Sequence, residues 1–128
     1  MKEPESVLRE TVLTLHEQLL AQFGGSAGIR DEGLLDSALG RPQNLFAYKK
    51  PTLFQLAASY AFRLAKNHPF LDGNKRTALV TAVLFLELNG KHFRADEADA
   101  TVRTLALAAG AMKEAAYAAW LEAMSRKQ

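Results

Sequence analysis

Most apolar positions of this 128-residue chain recur at helical intervals. Leu8, Val12, Leu15, Leu19 and Phe23 form one stripe, predicting a first helix from Ser6 that Gly24 and Gly25 terminate. Asp31 is placed to cap a second helix running through Leu39, with Leu34, Leu35, Ala38 and Leu39 inward and Gly40 closing it. Thr52 caps a third, whose Leu53, Leu56, Ala57, Tyr60, Ala61 and Leu64 share one face. Residues 78–88 read ALVTAVLFLEL, where only Thr81 and Glu87 are polar. A helix apolar on every side is expected to be buried, so this one is predicted to be central, ending at Asn89 and Gly90. Asp96 caps a fifth helix with Val102, Leu105, Ala106 and Ala109 inward and a stop at Gly110. A last helix over about residues 112–125 turns Ala116, Trp120 and Ala123 inward. No stretch reads as a strand of useful length, and residues 91–94 read as a connector. The expectation is an all-α fold, an irregular bundle of about six helices around a central buried helix, in a single domain over residues 1–128.

Residues 41–51, RPQNLFAYKKP, interrupt this pattern with proline at both ends, and they are expected to form a loop. Leu45, Phe46 and Tyr48 have two readings there. They fold back over the core, or they lie on an extended segment that pairs with the backbone of a target, as edge strands do.

Composition narrows the function more than the fold. Sixteen basic against fourteen acidic residues leave a net charge of +2, which gives no basis for a nucleic-acid partner. The absence of cysteine excludes thiol nucleophiles, disulfides and cysteine-based metal sites, and agrees with a reducing compartment. The N-terminal residues carry no apolar signal core and no run approaches the roughly 20 apolar residues of a membrane span, so a soluble cytoplasmic protein with no membrane partner is expected.

The legible chemistry lies just ahead of the apolar run. His68, Asp72, Gly73, Asn74, Lys75 and Arg76 would form the loop and first turn of the central helix. A helix start carries about half a positive charge and unpaired N–H groups, so it favours acidic neighbours. Lys75 and Arg76 run against that preference, which makes sense if an anion such as a phosphate chain completes the site. Gly73 would let the anion approach the backbone, and Asp72 is the carboxylate that could hold a magnesium ion together with phosphate oxygens and water. His68 is the candidate general base. Asn67 and Pro69 also fit a plain helix ending, and Asp72, Gly73 and Asn74 a plain turn. His16 reads as a satisfied or half-exposed helix residue rather than a catalyst, and His92 is assigned no role.

The run His68-Pro69-Phe70-Leu71-Asp72-Gly73-Asn74-Lys75-Arg76 resembles the Fic motif H-x-F-x-[D/E]-G-N-x-R at all six defined positions. Its continuation into Thr77 and Ala78 is similar to the Doc (death on curing) branch. Gly33-Leu34-Leu35, Arg41-Pro42-Gln43 and residues 51–90 extend the similarity. The resemblance implies a helical domain that transfers part of a nucleotide, ATP with Mg2+, to a protein hydroxyl. His68 would deprotonate the acceptor, Asp72 would hold the metal, Phe70 would anchor the loop, and Gly73, Asn74, Lys75 and Arg76 would bind phosphates. It also implies a flap ahead of the motif helix that aligns the target, the position occupied by Leu45, Phe46 and Tyr48.

The AMP-transferring members usually read G-N-G-R-x-x-R, whereas this chain has Lys75 for the second glycine and Leu79 for the last arginine. Lysine fills space that glycine leaves, and the lost arginine removes a bidentate donor. Doc-like members share the lysine, so phosphoryl transfer is favoured, with AMP transfer as the alternative and a non-catalytic helical adaptor as the reading from another class. His68 and Asp72 are too few ligands for a metal hydrolase. The Doc resemblance points to a translation component such as elongation factor Tu as the target. An inhibitory [S/T]-x-x-x-E-[G/N] run is missing, since Gly28 stands where Glu32-Gly33 would need a hydroxyl residue, so a separate antitoxin protein is the expected regulator.

Overall fold

The structure, a computed structural model, describes residues 3–127. Its elements in order are α1 (Arg9–Phe23), α2 (Glu32–Lys49), α3 (Leu53–Asn67), α4 (Asn74–Leu88), β1 (Lys91–Phe93), α5 (Glu97–Ala109), α6 (Glu114–Ala123) and β2 (Ser125–Lys127). The fold is all-α, as the periodicity predicts, with one small addition: β1 and β2 pair antiparallel, His92 opposite Arg126, so the stretch read as a connector is a short strand.

Local capping chemistry places several helix starts. Asp31 accepts from Leu34 N at 2.9 Å. Thr52 and Gln55 form a reciprocal box, with Gln55 N donating to Thr52 Oγ1 at 3.1 Å and Thr52 N to Gln55 Oε1 at 2.9 Å. Asp96 accepts from Asp99 N at 3.2 Å. Each cap satisfies donors that the helix itself leaves unpaired.

The second helix overturns the expectation for residues 41–51. It does not close at Gly40 but continues through Pro42 to Lys49, so Leu45, Phe46 and Tyr48 sit on its last turns and not on an extended flap. An internal proline costs about 3 kcal/mol, and a helical glycine about 1 kcal/mol against alanine. Burial offsets this: Leu35, Ala38, Leu39 and Pro42 are buried, Leu45 and Phe46 pack against the core, and all six fall at helical spacing. Lys50, in the left-handed conformation, and Pro51 end the run.

The centre is shared by two helices. α3 packs against α2, α4, α5 and α6, while α4 packs against α1, α3, α5 and β1. α3 buries Leu56, Ala57, Tyr60, Ala61 and Leu64 as predicted. α4 buries Thr77, Ala78, Thr81, Ala82, Phe85 and Leu86 but leaves Leu79 and Val80 half-buried and Leu88 exposed, so it is not enclosed on every side. The inward faces of the last two helices also differ from the expectation. α5 buries Ala100, Thr104 and Leu107, with Val102 63% and Leu105 46% exposed. α6 buries Tyr117, Ala118, Trp120 and Leu121, leaving Ala116 and Ala123 outside. Thr104 Oγ1 meets the Tyr117 hydroxyl at 2.8 Å, which satisfies both polar groups in the interior. Among the described residues no helix is long and apolar enough to cross a membrane.

Candidate active site

The turn between α3 and α4 is built from side chains that close on their own backbone. Asn74, 3% exposed, donates from Nδ2 to Phe70 O and accepts at Oδ1 from Phe70 N, both at 2.9 Å. The asparagine read as a phosphate ligand therefore commits its side chain to shaping the loop, and what remains for an anion is its backbone at the first turn of α4. Phe70 is fully buried. Its ring lies on that of His16, with centroids 3.8 Å apart and planes 12° from parallel.

Helix spacing makes His16 a satisfied or half-exposed helix residue, and the structure satisfies it within the turn itself. It is buried on α1, and its Nε2 meets the carbonyl of Asp72 at 2.8 Å. A carbonyl only accepts, so Nε2 carries the proton. The imidazole also lies 3.6 Å from where a Cβ on Gly73 would stand, and Gly73 has φ +78°, a left-handed conformation that suits glycine as the cap of α4. No side chain caps that helix start.

The α1–α2 connection straps the other side of the turn. Ser26 N donates to Asp72 Oδ2 at 2.8 Å, fixing the carboxylate. Leu71 N donates to Gly28 O at 3.1 Å, and Pro69 O accepts from Arg30 N at 2.6 Å and Asp31 N at 3.0 Å. Gly25 permits the close approach, since a Cβ there would stand 3.1 Å from that of Asp72. His68 caps α3 in the left-handed conformation, φ 52° and ψ 54°. Asn67 anchors the same helix end by donating to Leu34 O at 3.0 Å.

These constraints bring His68, Asp72, Gly73, Asn74, Lys75 and Arg76 to the lining of one cavity of about 660 Å³. Leu19 and Phe23 from α1, Leu79 and Val80 from α4, and Glu97, Thr101 and Leu105 from α5 complete it. His68, Asp72, Lys75 and Arg76 are exposed to it. Arg76 rests its guanidinium 4.3 Å over the Phe23 ring, a cation–π contact that holds the charge at the mouth. Leu45, Phe46 and Tyr48 are not part of this lining. Leu45 instead lines a separate cavity of about 420 Å³ with Lys49, Gln55 and Glu114, whose carboxyl pKa burial pushes up against the pull of Arg63 and Arg41.

A metal caged by protein alone has no candidate here: among the described residues no group of three or more His, Cys, Asp or Glu side chains gathers. A magnesium ion arriving with a nucleotide needs only one carboxylate, the rest of its octahedron being phosphate and water. Asp72 fits that role, because the Ser26 bond orients its carboxylate while leaving further lone pairs.

His16, Phe23, Ser26, Arg30 and the α5 wall are the parts of the site that the sequence does not announce. The one available signal is register: His16 stands four residues after the buried Val12, on the core side of α1.

Residues 6–86 match the Fic/DOC family. The chain is 42% identical over 82 residues to "Protein kinase doc" of Escherichia phage P1, a match covering 63% of this chain and 65% of that protein. It is 46% identical over 92 residues to "Toxin Doc" of Mycolicibacterium smegmatis, covering 69% of this chain and 67% of that one. The match thus spans just under two thirds of the phage protein's length. With the family match running over more than half of its length, this chain belongs to the Fic/DOC family.

Proposed function

We propose that this protein transfers the γ-phosphate of ATP to a hydroxyl of a target protein, acting as the toxin of a toxin–antitoxin pair. The observation that carries the reading is the single cavity in which His68 and Asp72 meet the uncapped start of α4 with its Lys75 and Arg76. The relatives named as a protein kinase and as a toxin support it.

In this reading the α4 N–H groups, Lys75 and Arg76 hold the phosphates, and the His68 imidazole takes the proton of the target hydroxyl. The new bond runs from that oxygen to the γ-phosphorus. ADP leaves with the electron pair of the broken P–O bond, in line with the attacking oxygen. Mg2+, held by Asp72, would neutralise charge on the phosphates when bound. Lys75 occupies space that a glycine would leave, and Leu79 presents an apolar side chain to the cavity where a second arginine would grip outer phosphates, which favours a nucleotide turned with its γ-phosphate toward His68. The target is proposed to be a translation component, elongation factor Tu first among candidates, and a separate antitoxin protein the regulator. Use of ATP agrees with action in the cytoplasm.

ATP labelled separately at the α and γ positions, incubated with this protein and a cytosolic lysate, tests the reading. Label reaching a protein only from the γ position is expected. Label only from the α position restores AMP transfer, and no label from either leaves a binding protein. His68→Ala should abolish transfer while ATP still binds, and a variant that turns over like the wild type would reduce His68 to a helix cap.

A further inference from the structure

We propose that Arg30 is a positioning residue for His68, a guanidinium clamp that holds the end of α3 in the geometry the transfer needs. The proposal rests on the reading of His68 as the base given above. Arg30 Nε donates to the carbonyl of His68 itself at 2.7 Å, and Nη2 donates to the carbonyl of Asn67 at 2.9 Å. These are carbonyls at a helix C-terminus, which have no intrahelical partner and carry the negative end of the helix dipole. A planar fork meets both at once, and an ammonium group does not reproduce that geometry.

The need for a clamp follows from the backbone of His68. Its φ of 52° lies in the left-handed region, which side-chain-bearing residues rarely adopt unless the surroundings over-determine it. The His68 amide bond to Leu64 O is long, at 3.3 Å, so the helix holds this residue only loosely on its own account. A residue released from the left-handed basin would swing its imidazole away from the cavity. Arg30 is well placed to prevent this, because its own backbone is joined to the same turn, its N–H donating to Pro69 O just beyond His68. The Arg30 side chain is exposed and does not line the cavity, so it stands outside the proposed nucleotide site, and its removal vacates no core.

The test compares wild type, Arg30→Met and Arg30→Lys in three readouts: steady-state transfer, ATP affinity by calorimetry, and amide exchange of residues 67–72. For Arg30→Met the expected result is a kcat lowered roughly 10- to 100-fold, the scale of a small misplacement of a reacting group, with KM and affinity for ATP within twofold of wild type. Exchange at the His68 and Phe70 amides should quicken about tenfold, and exchange elsewhere should not change. Arg30→Lys should recover less than half of the lost rate. A wild-type kcat in Arg30→Met overturns the clamp. So does a loss shared equally by ATP affinity and overall stability, and so does full rescue by lysine, which would leave only a charge effect. If the wild type transfers no label at all, the kinase reading fails, and the exchange arm decides the clamp: unchanged His68 and Phe70 amides in Arg30→Met overturn it, and faster ones support it.

Discussion

His16 joins two functions that can be separated by substitution: its ring face packs on Phe70, and its Nε2–H holds the carbonyl of Asp72. The stack contributes about 0.5–1.5 kcal/mol beyond area burial. Losing the hydrogen bond with its acceptor left unpaired costs about 1–3 kcal/mol. The cavity left by the lost ring adds about 1–2 kcal/mol. His16→Ala is therefore expected to lose about 2.5–6.5 kcal/mol. His16→Phe keeps the stack and loses the donor, and His16→Gln keeps a donor of similar reach and loses the stack, so each should lose about 1–3 kcal/mol. A domain of this size melts lower by roughly 3–5 °C for each kcal/mol lost, so the phenylalanine and glutamine variants should remain folded at 25 °C within the usual stability of about 5–15 kcal/mol.

Urea melts read through Cm at constant m measure these losses. ATP affinity by calorimetry adds a second axis, because the Asp72 carbonyl begins the peptide that sets Gly73 and the start of α4. His16→Phe should weaken ATP binding more than His16→Gln, although their stabilities are similar, since only the glutamine still holds that carbonyl. Three variants within 0.5 kcal/mol of wild type would refute the structural argument. Equal ATP affinities for the phenylalanine and glutamine variants would refute the link from His16 to the anion site.

Arg76→Ala should weaken ATP binding about 10- to 100-fold with little change in melting, because it removes a charge-assisted phosphate contact from an exposed position; unchanged calorimetric affinity would remove the phosphate role. Asn74→Ala leaves the Phe70 N–H and carbonyl without their partners inside the turn and should cost about 2–5 kcal/mol in urea melts, a loss below 0.5 kcal/mol being incompatible with that bonding. Burial pushes the Tyr117 hydroxyl up to about 12, against a smaller opposite pull from Thr104. Below pH about 10 the tyrosine is protonated in both folded and unfolded chains and its contribution is whole. Above that the unfolded chain ionises first, so about 3 kcal/mol of stability should drain away between pH 10 and 12. Tyr117→Phe should flatten that part of the stability curve in alkaline melts, and an unchanged slope would contradict the assignment.

The elements that the sequence reveals are those whose causes are local. Asp31, Thr52 and Asp96 each cap a donor three residues on, and the pattern is visible within four residues. Residues 41–49 mislead for the converse reason. Gly40 and Pro42 are punctuation by propensity, yet the burial of Leu35, Ala38, Leu39 and Pro42 against the core outweighs them, and burial is decided by neighbours far along the chain. On α5 Val102 and Leu105 invite an inward reading, but Ala100, Thr104 and Leu107 are the residues buried, and Leu105 lines the cavity instead.

The same division runs through the site. The residues proposed to meet the nucleotide lie within nine positions of one another, His68 to Arg76, so their chemistry can be read as a word. The residues that hold that word in shape cannot, because His16 acts across 56 positions and Arg30 across 38. Asn74 shows what a motif alone leaves out. An amide at a helix start beside a glycine and two cations looks like a phosphate ligand, but its two polar atoms are both engaged by the backbone of Phe70, four residues earlier. In the proposed anion site one of the loop's own polar side chains is withdrawn to hold the turn. A buried residue that keeps the turn closed leaves the exposed Lys75 and Arg76 free to turn toward the cavity, where their charge would otherwise have no reason to sit at the positive end of α4.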